Sequence, residues 1–85
     1  MDISRAEQRI LHLLAQGGRI DLVRNEAGKP EEVHCFSRDG WRYAGLDMDL
    51  FRKLKRRRTI ASHGGQPYRI TRRGLQLVRS QPDNC

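Results

Sequence analysis

Apolar residues recur at helical spacing near the start of the chain. Ala6, Ile10, Leu13 and Leu14 fall three or four positions apart, with Leu11 alongside. This spacing predicts a helix over residues 5–16 with one buried face. Ser4 followed by Glu7 matches a capping box, and Gly17-Gly18 stops the helix because glycine tolerates the left-handed conformation at that point. The pattern then changes to alternation. Ile20, Leu22 and Arg24 fall on one face of a strand, Asp21 and Val23 on the other. Val33, Cys35 and Ser37 oppose His34 and Phe36 in the same way. Two strands, 19–24 and 31–37, are expected to pair across the polar cluster 25–30. After the turn residues Arg38-Asp39-Gly40, the piece Trp41-Arg42-Tyr43 reads either as a third short strand or as the start of a helix running into the next element.

The second half of the chain is organised around residues 46–78. Asp47 is placed to cap a helix over 47–57. Leu50, Phe51 and Leu54 share one face of it, and Arg52, Lys53, Lys55 and Arg56 fill the other. Residues 59–62 and 68–70 fit half-buried strands, separated by the turn signal His63-Gly64-Gly65-Gln66-Pro67. Thr71 can cap a closing helix that carries Leu75, Leu77 and Val78. The expected fold is therefore α+β: a single small winged-helix-like domain over residues 1–80, ordered helix, β-hairpin, helix, wing hairpin, helix. Residues 81–85 form a polar tail. The expected core is Ile10, Leu13, Leu14, Ile20, Leu22, Val33, Cys35, Leu50, Phe51, Leu54, Ile60, Tyr68, Ile70, Leu75 and Val78. A winged helix-turn-helix normally carries a short helix just before its recognition helix. Here that place holds turn signals and an aromatic, strand-like piece, which suits a protein-binding domain better than a reader of DNA grooves.

Charge narrows the class of partner. The 85 residues carry 17 Lys and Arg against 10 Asp and Glu, a net charge of +7. Such a surplus favours a negatively charged partner, either nucleic acid or an acidic protein surface. No stretch approaches the ~20 apolar residues that cross a bilayer. The opening residues lack the features of a signal peptide, so a cytoplasmic location with reduced thiols at Cys35 and Cys85 is expected.

The densest chemical signal is the run from 52 to 58, in which Arg52, Lys53, Lys55, Arg56, Arg57 and Arg58 are all cationic. Like charges this close repel one another unless something outside compensates them. Arg69, Arg72 and Arg73 return beside the run if the wing folds back. These nine residues form the candidate partner- or phosphate-binding set; the competing reading is a solvated face that keeps a small protein soluble. The wing tip could approach a partner or be a plain tight turn. Trp41 and Tyr43 are core residues by default, or anchors for a partner. Catalysis finds no support. His12, His34, Cys35 and His63 match no metal-ligand spacing, His34 and Cys35 point to opposite faces of a strand, and Gly64-Gly65 lacks the context of a nucleotide-binding loop. The expectation is a binding protein with no metal, no cofactor and no enzymatic activity.

Several segments taken together resemble the YjhX family of small bacterial proteins: SRAEQRILHLLAQGGRI, CFSRDG, FRKLKRRR, GQPYRIT and GLQLVR. The resemblance covers nearly the whole chain. It implies the toxin half of a toxin–antitoxin pair, a cytoplasmic inhibitor that binds DNA topoisomerase I and impairs supercoil relaxation and replication. It also implies a cognate antitoxin as partner. None of the nine basic residues is taken from the family; they come from charge and periodicity. The alternative function is a winged-helix DNA-binding transcriptional regulator, and non-specific DNA is a further expected ligand in either case. Trp41-Arg42-Tyr43 and the tail ending in Cys85 depart from the family's more aliphatic and polar versions.

Overall fold

Ser4 and Glu7 satisfy each other's backbone groups at the start of the first helix, α1 (Arg5–Ala15). The Ser4 hydroxyl accepts the Glu7 N–H at 3.1 Å, and the Glu7 carboxylate accepts the Ser4 N–H at 3.0 Å. This reciprocal box removes two orphan donors from the helix end. The computed structural model describes residues 3–79, so the predicted tail and Cys85 lie outside the described residues. At its other end α1 closes through Gly17, whose φ is 105°. The Gly17 N–H reaches the Leu14 carbonyl, and the Gly18 N–H reaches that of Leu13. Both orphan carbonyls are thereby met by the turn that follows.

Strands β1 (Arg19–Arg24) and β2 (Pro30–Phe36) pair antiparallel with Ile20 opposite Cys35 and Leu22 opposite Val33. Asn25 shapes the connection by accepting the N–H groups of Ala27 and Lys29 on its side-chain oxygen. Of the two readings for residues 41–43, the strand is correct. β3 (Arg42–Tyr43) pairs with the other edge of β2, giving the sheet order β1-β2-β3. A strand and a turn therefore occupy the place before the second helix.

That helix, α2 (Met48–Arg56), starts on Asp47, whose carboxylate accepts the Leu50 N–H at 2.8 Å. A two-stranded hairpin of β4 (Ile60–Ala61) and β5 (Arg69–Ile70) follows, at the position expected of a wing and called the wing below, and then α3 (Arg72–Arg79). Thr71 caps α3 as expected, taking the Gly74 N–H at 3.1 Å. The wing is joined to the sheet through Ile20 and Tyr68, which exchange both backbone hydrogen bonds. Gly74 lets α3 lie against the start of the wing. A Cβ there would meet the Thr59 carbonyl at 2.5 Å.

One core draws on α1, β1, β2, α2, β4 and α3: Ile3, Ile10, Leu11, Leu14, Ile20, Val33, Cys35, Phe51, Leu54, Ile60 and Val78. The expected core needs correction in three places. First, α1 is turned about its axis relative to the expected face. Its buried positions are Glu7, Ile10, Leu11 and Leu14, while Ala6 is exposed and Leu13 only half-buried. A glutamate inside the buried stripe is what the apolar pattern could not anticipate. Second, Leu75 is only half-buried and lies outside the core cluster; Leu77 packs against the cluster, and Val78 is part of it. Third, Leu22, Leu50, Tyr68 and Ile70 are half-buried at the margin of the core. Among the described residues, no helix is long and apolar enough to cross a membrane.

Candidate functional site

The nine basic residues do not share one role. Arg52, Lys53, Lys55, Arg56, Arg58, Arg72 and Arg73 are exposed. Arg57 instead turns inward and forms an ion pair, its Nε lying 2.9 Å from the carboxylate of fully buried Glu7. Arg69 is exposed along its stem, but its guanidinium donates to the Gly17 and Gly18 carbonyls at 3.1 Å each. A cation at these carbonyls just beyond the C-terminus of α1 meets the negative end of that helix. Arg57 and Arg69 therefore hold elements together, which charge counting along the sequence could not distinguish from partner contact.

The remaining cations are gathered by the end of α2. The chain leaves this helix through the same two-bond turn that closes α1. The Arg58 N–H reaches the Lys55 carbonyl at 2.9 Å, and the Thr59 N–H reaches that of Leu54 at 3.2 Å. Here the left-handed position is held by Arg58, at φ 59°, where α1 uses glycine. An L-residue with a long side chain costs about 1 kcal/mol more than glycine at such a position. The Arg58 carbonyl then accepts the Thr71 hydroxyl at 2.7 Å. Thr71 is the residue before Arg72, so this bond brings the basic end of α2 against the start of α3.

Electrostatics makes that junction costly. Arg72 and Arg73 open α3, and its first turn holds no acidic residue. The N-terminus of a helix carries partial positive charge, so two arginines there are disfavoured where a carboxylate would be favoured. Along α2, Arg52 and Arg56 repel at helical spacing as well. Lys55 is steadied differently: its ammonium lies 5.8 Å from the ring centroids of both Phe51 and Tyr68, which themselves meet edge to face at 5.0 Å. The result is a surface suited to an anion or an acidic partner.

The sheet adds a second cationic feature that the sequence reading did not single out. Arg19 and Arg42 flank Phe36 in register across the three strands, and the Arg19 guanidinium lies 4.6 Å from the Phe36 ring centroid. Alternation on paired strands was the signal that could have placed them together. Trp41 is not a core residue, being 77% exposed beside this row. Tyr43 is half-buried against the core. His34 and Cys35 point to opposite faces, and among the described residues no group of His, Cys, Asp and Glu could hold a metal ion. Cys35 is buried, and burial pushes its thiol up to about 11.

Comparison with known proteins gives this surface its context. A UPF0386 protein of Hyphomonas neptunium is 88% identical over 85 residues, covering all of both chains. UPF0386 proteins of Rhizobium etli and Agrobacterium fabrum are 69% and 67% identical over 84 residues, 99% of each chain. No solved structure matches this chain. Over residues 1–85 the sequence matches the YjhX toxin family, described as "Putative toxin of bacterial toxin-antitoxin pair", and the chain belongs to that family.

Proposed function

We propose that this chain acts in the cytoplasm by binding rather than by catalysis, as an inhibitor of DNA topoisomerase I whose basic α2–α3 face docks on an acidic surface of that enzyme. The family supplies the toxin role and an antitoxin as partner; topoisomerase I is the target that the sequence resemblance implies. The observation that carries the binding mode is the Thr71–Arg58 hydrogen bond, which fixes the backbone of Arg58 beside the N-cap residue that precedes Arg72 and Arg73. Two exposed arginines open a helix with no acidic residue in its first turn, and Arg58 beside its cap sits on a left-handed backbone that glycine would occupy more cheaply. Such an arrangement becomes favourable once an outside partner supplies negative charge.

The second reading is a DNA-binding regulator, favoured by the same cations. Salt dependence separates the two. If the seven exposed cations of the set contact duplex phosphates, log affinity falls against log salt with a slope of about −0.9 per phosphate neutralised. Each single removal then lowers that slope by roughly one unit, whatever the DNA sequence. Binding to a protein shows a milder salt effect, mostly on the association rate. The deciding experiment titrates the chain with purified topoisomerase I and, separately, with duplex DNA at about 0.15 M salt, where the Debye length is ~8 Å. The enzyme complex is expected to survive, with duplex binding weak and indifferent to sequence. Tight, sequence-selective duplex binding without an enzyme complex overturns the inhibitor reading in favour of the regulator.

A further inference from the structure

The edge of β1 that faces the wing is covered only at one end. Ile20 donates its N–H to the Tyr68 carbonyl at 3.0 Å and accepts the Tyr68 N–H at 2.8 Å. Backbone groups alternate sides along an antiparallel strand, so those of Leu22 point to the same edge as those of Ile20. The next pair in this register would be Leu22 with Gln66, and it does not form. Pro67 has no N–H to offer. Gln66 turns its own backbone into the wing tip: its N–H goes to the His63 carbonyl at 3.1 Å, and its carbonyl accepts the Ser62 hydroxyl. Among the described residues, no backbone group pairs with Leu22 at this edge. Where the wing bends away, a cleft of about 370 Å³ opens, lined in part by Asp21, Leu22, Arg24, Gln66, Pro67 and Tyr68.

We propose that this cleft receives an extended acidic segment of a protein partner, which adds as a strand to the open edge of β1. An edge with unpaired N–H and C=O groups is a template for another strand. The half-buried Leu22 and Tyr68 side chains give such a strand an apolar surface to pack on. Charge decides what kind of strand fits. Arg24 lines the cleft, and the Lys55 ammonium stands over the ring of Tyr68. Asp21, the acidic member of the lining, is already paired with Arg19 at 3.3 Å. A second copy of this chain would bring its own net charge of +7 to the same edge, which disfavours self-pairing. The site is built from backbone groups of the sheet edge, so the proposal does not depend on which target the α2–α3 face takes.

The test uses the full chain labelled with nitrogen-15 at leucine, a short synthetic peptide alternating valine and glutamate, and the same peptide N-methylated at alternate amides. Amide exchange by NMR is followed at Leu22. In the free protein this amide exchanges fast, whereas with about 1 mM peptide it slows by about tenfold or more. The N-methylated peptide, which lacks the ladder donors, binds at least about tenfold more weakly. Failure of the unmodified peptide to protect Leu22 overturns the proposal, and so does equal binding of the two peptides. A Leu22 amide already protected in a free protein that sediments as a dimer assigns the edge to a second copy and overturns it too.

Discussion

Arg57, just past the end of α2, reaches back to Glu7 in the first turn of α1, and the carboxylate it meets there is fully buried. One oxygen of Glu7 accepts the Ser4 backbone N–H; the other lies 2.9 Å from the Arg57 Nε as its ion-pair partner. A single side chain thus closes the capping box of one helix and pins the end of another. Removing Arg57 leaves a carboxylate without its cation in a place water does not reach. Breaking a sealed pair costs about 3–5 kcal/mol; because 25% of the Arg57 side chain is exposed, about 2–4 kcal/mol is expected for Arg57→Met in chemical denaturation. Glu7→Gln keeps an acceptor for Ser4 and should cost less. The double variant should recover part of the Arg57→Met loss, because no uncompensated charge remains. An unchanged denaturation midpoint in Arg57→Met would return this residue to the partner-binding set.

Arg58 should show the opposite balance between stability and binding. Arg58→Gly relieves the left-handed backbone and takes one cation from a crowded junction, so stability should rise by about 0.5–1 kcal/mol. Association with the acidic partner should slow, with the difference shrinking as salt is added. Arg58→Ala removes the charge but keeps the Cβ, which separates the two contributions: its binding should fall as in the glycine variant, while its stability should rise by less than that of the glycine variant. A glycine variant less stable than wild type would mean that the Arg58 side chain stabilises the fold by contacts of its own.

Leu54 is fully buried on the face of α2 opposite the cations. Leu54→Ala should cost about 2–5 kcal/mol. A domain of this size has a total stability of order 5–10 kcal/mol, so the denaturation midpoint should drop by about a fifth or more. A curve that does not move would mean that α2 presents another face to the core.

Cys35 reports on the core through both accessibility and pH. Its thiol is 1% exposed, so alkylation of the native protein at this position should be slow and should require opening of the sheet. Burial raises the thiol from 9.0 to about 11. Below pH 9 the folded and unfolded states both hold the proton, and the thiol adds no pH dependence. From about pH 9 to 11 the unfolded state releases it first, so stability falls as pH rises, by up to ~1.4 kcal/mol per unit. Cys35→Val lacks this loss. Parallel denaturation midpoints for the two proteins through that window would show that the thiol is not sealed from water.

The local elements were legible because their signals lie within a few residues of their effects. Ser4 with Glu7, Asp47 with Leu50 and Thr71 with Gly74 each close a cap inside one turn. The alternation in residues 19–24 and 32–37 marks a hairpin whose pairing in space differs little from the expected one. The exposed cations of α2 were likewise readable, because a helix with one apolar face must turn its charges outward. The piece Trp41-Arg42-Tyr43 was ambiguous in sequence for a physical reason: a strand of two residues carries too little pattern to distinguish it from the start of a helix, and only the free edge of β2 decides that Arg42 and Tyr43 pair.

What lay beyond the sequence is what depends on partners far along the chain. Glu7 could be read as a capping residue, but not as a buried ion that needs Arg57. Charge alone could not sort two of the nine cations, because a guanidinium that meets a buried carboxylate, as Arg57 does, or helix-end carbonyls 51 or 52 residues away, as Arg69 does, looks the same in sequence as one that meets solvent. The face of α1 is set by the same fact: once Arg57 offers Glu7 a compensating charge, the helix can bury that position and leave Ala6 outside. The open edge at Leu22 has no sequence signature at all, since it exists only because Gln66 spends its backbone on the wing tip. Sequence determined the elements, their caps and the sign of the surface, all governed by neighbours within a turn or a pleat. Tertiary structure decided which charges are internal and which backbone groups remain unpaired, because both depend on desolvation and on partners that chain order does not specify.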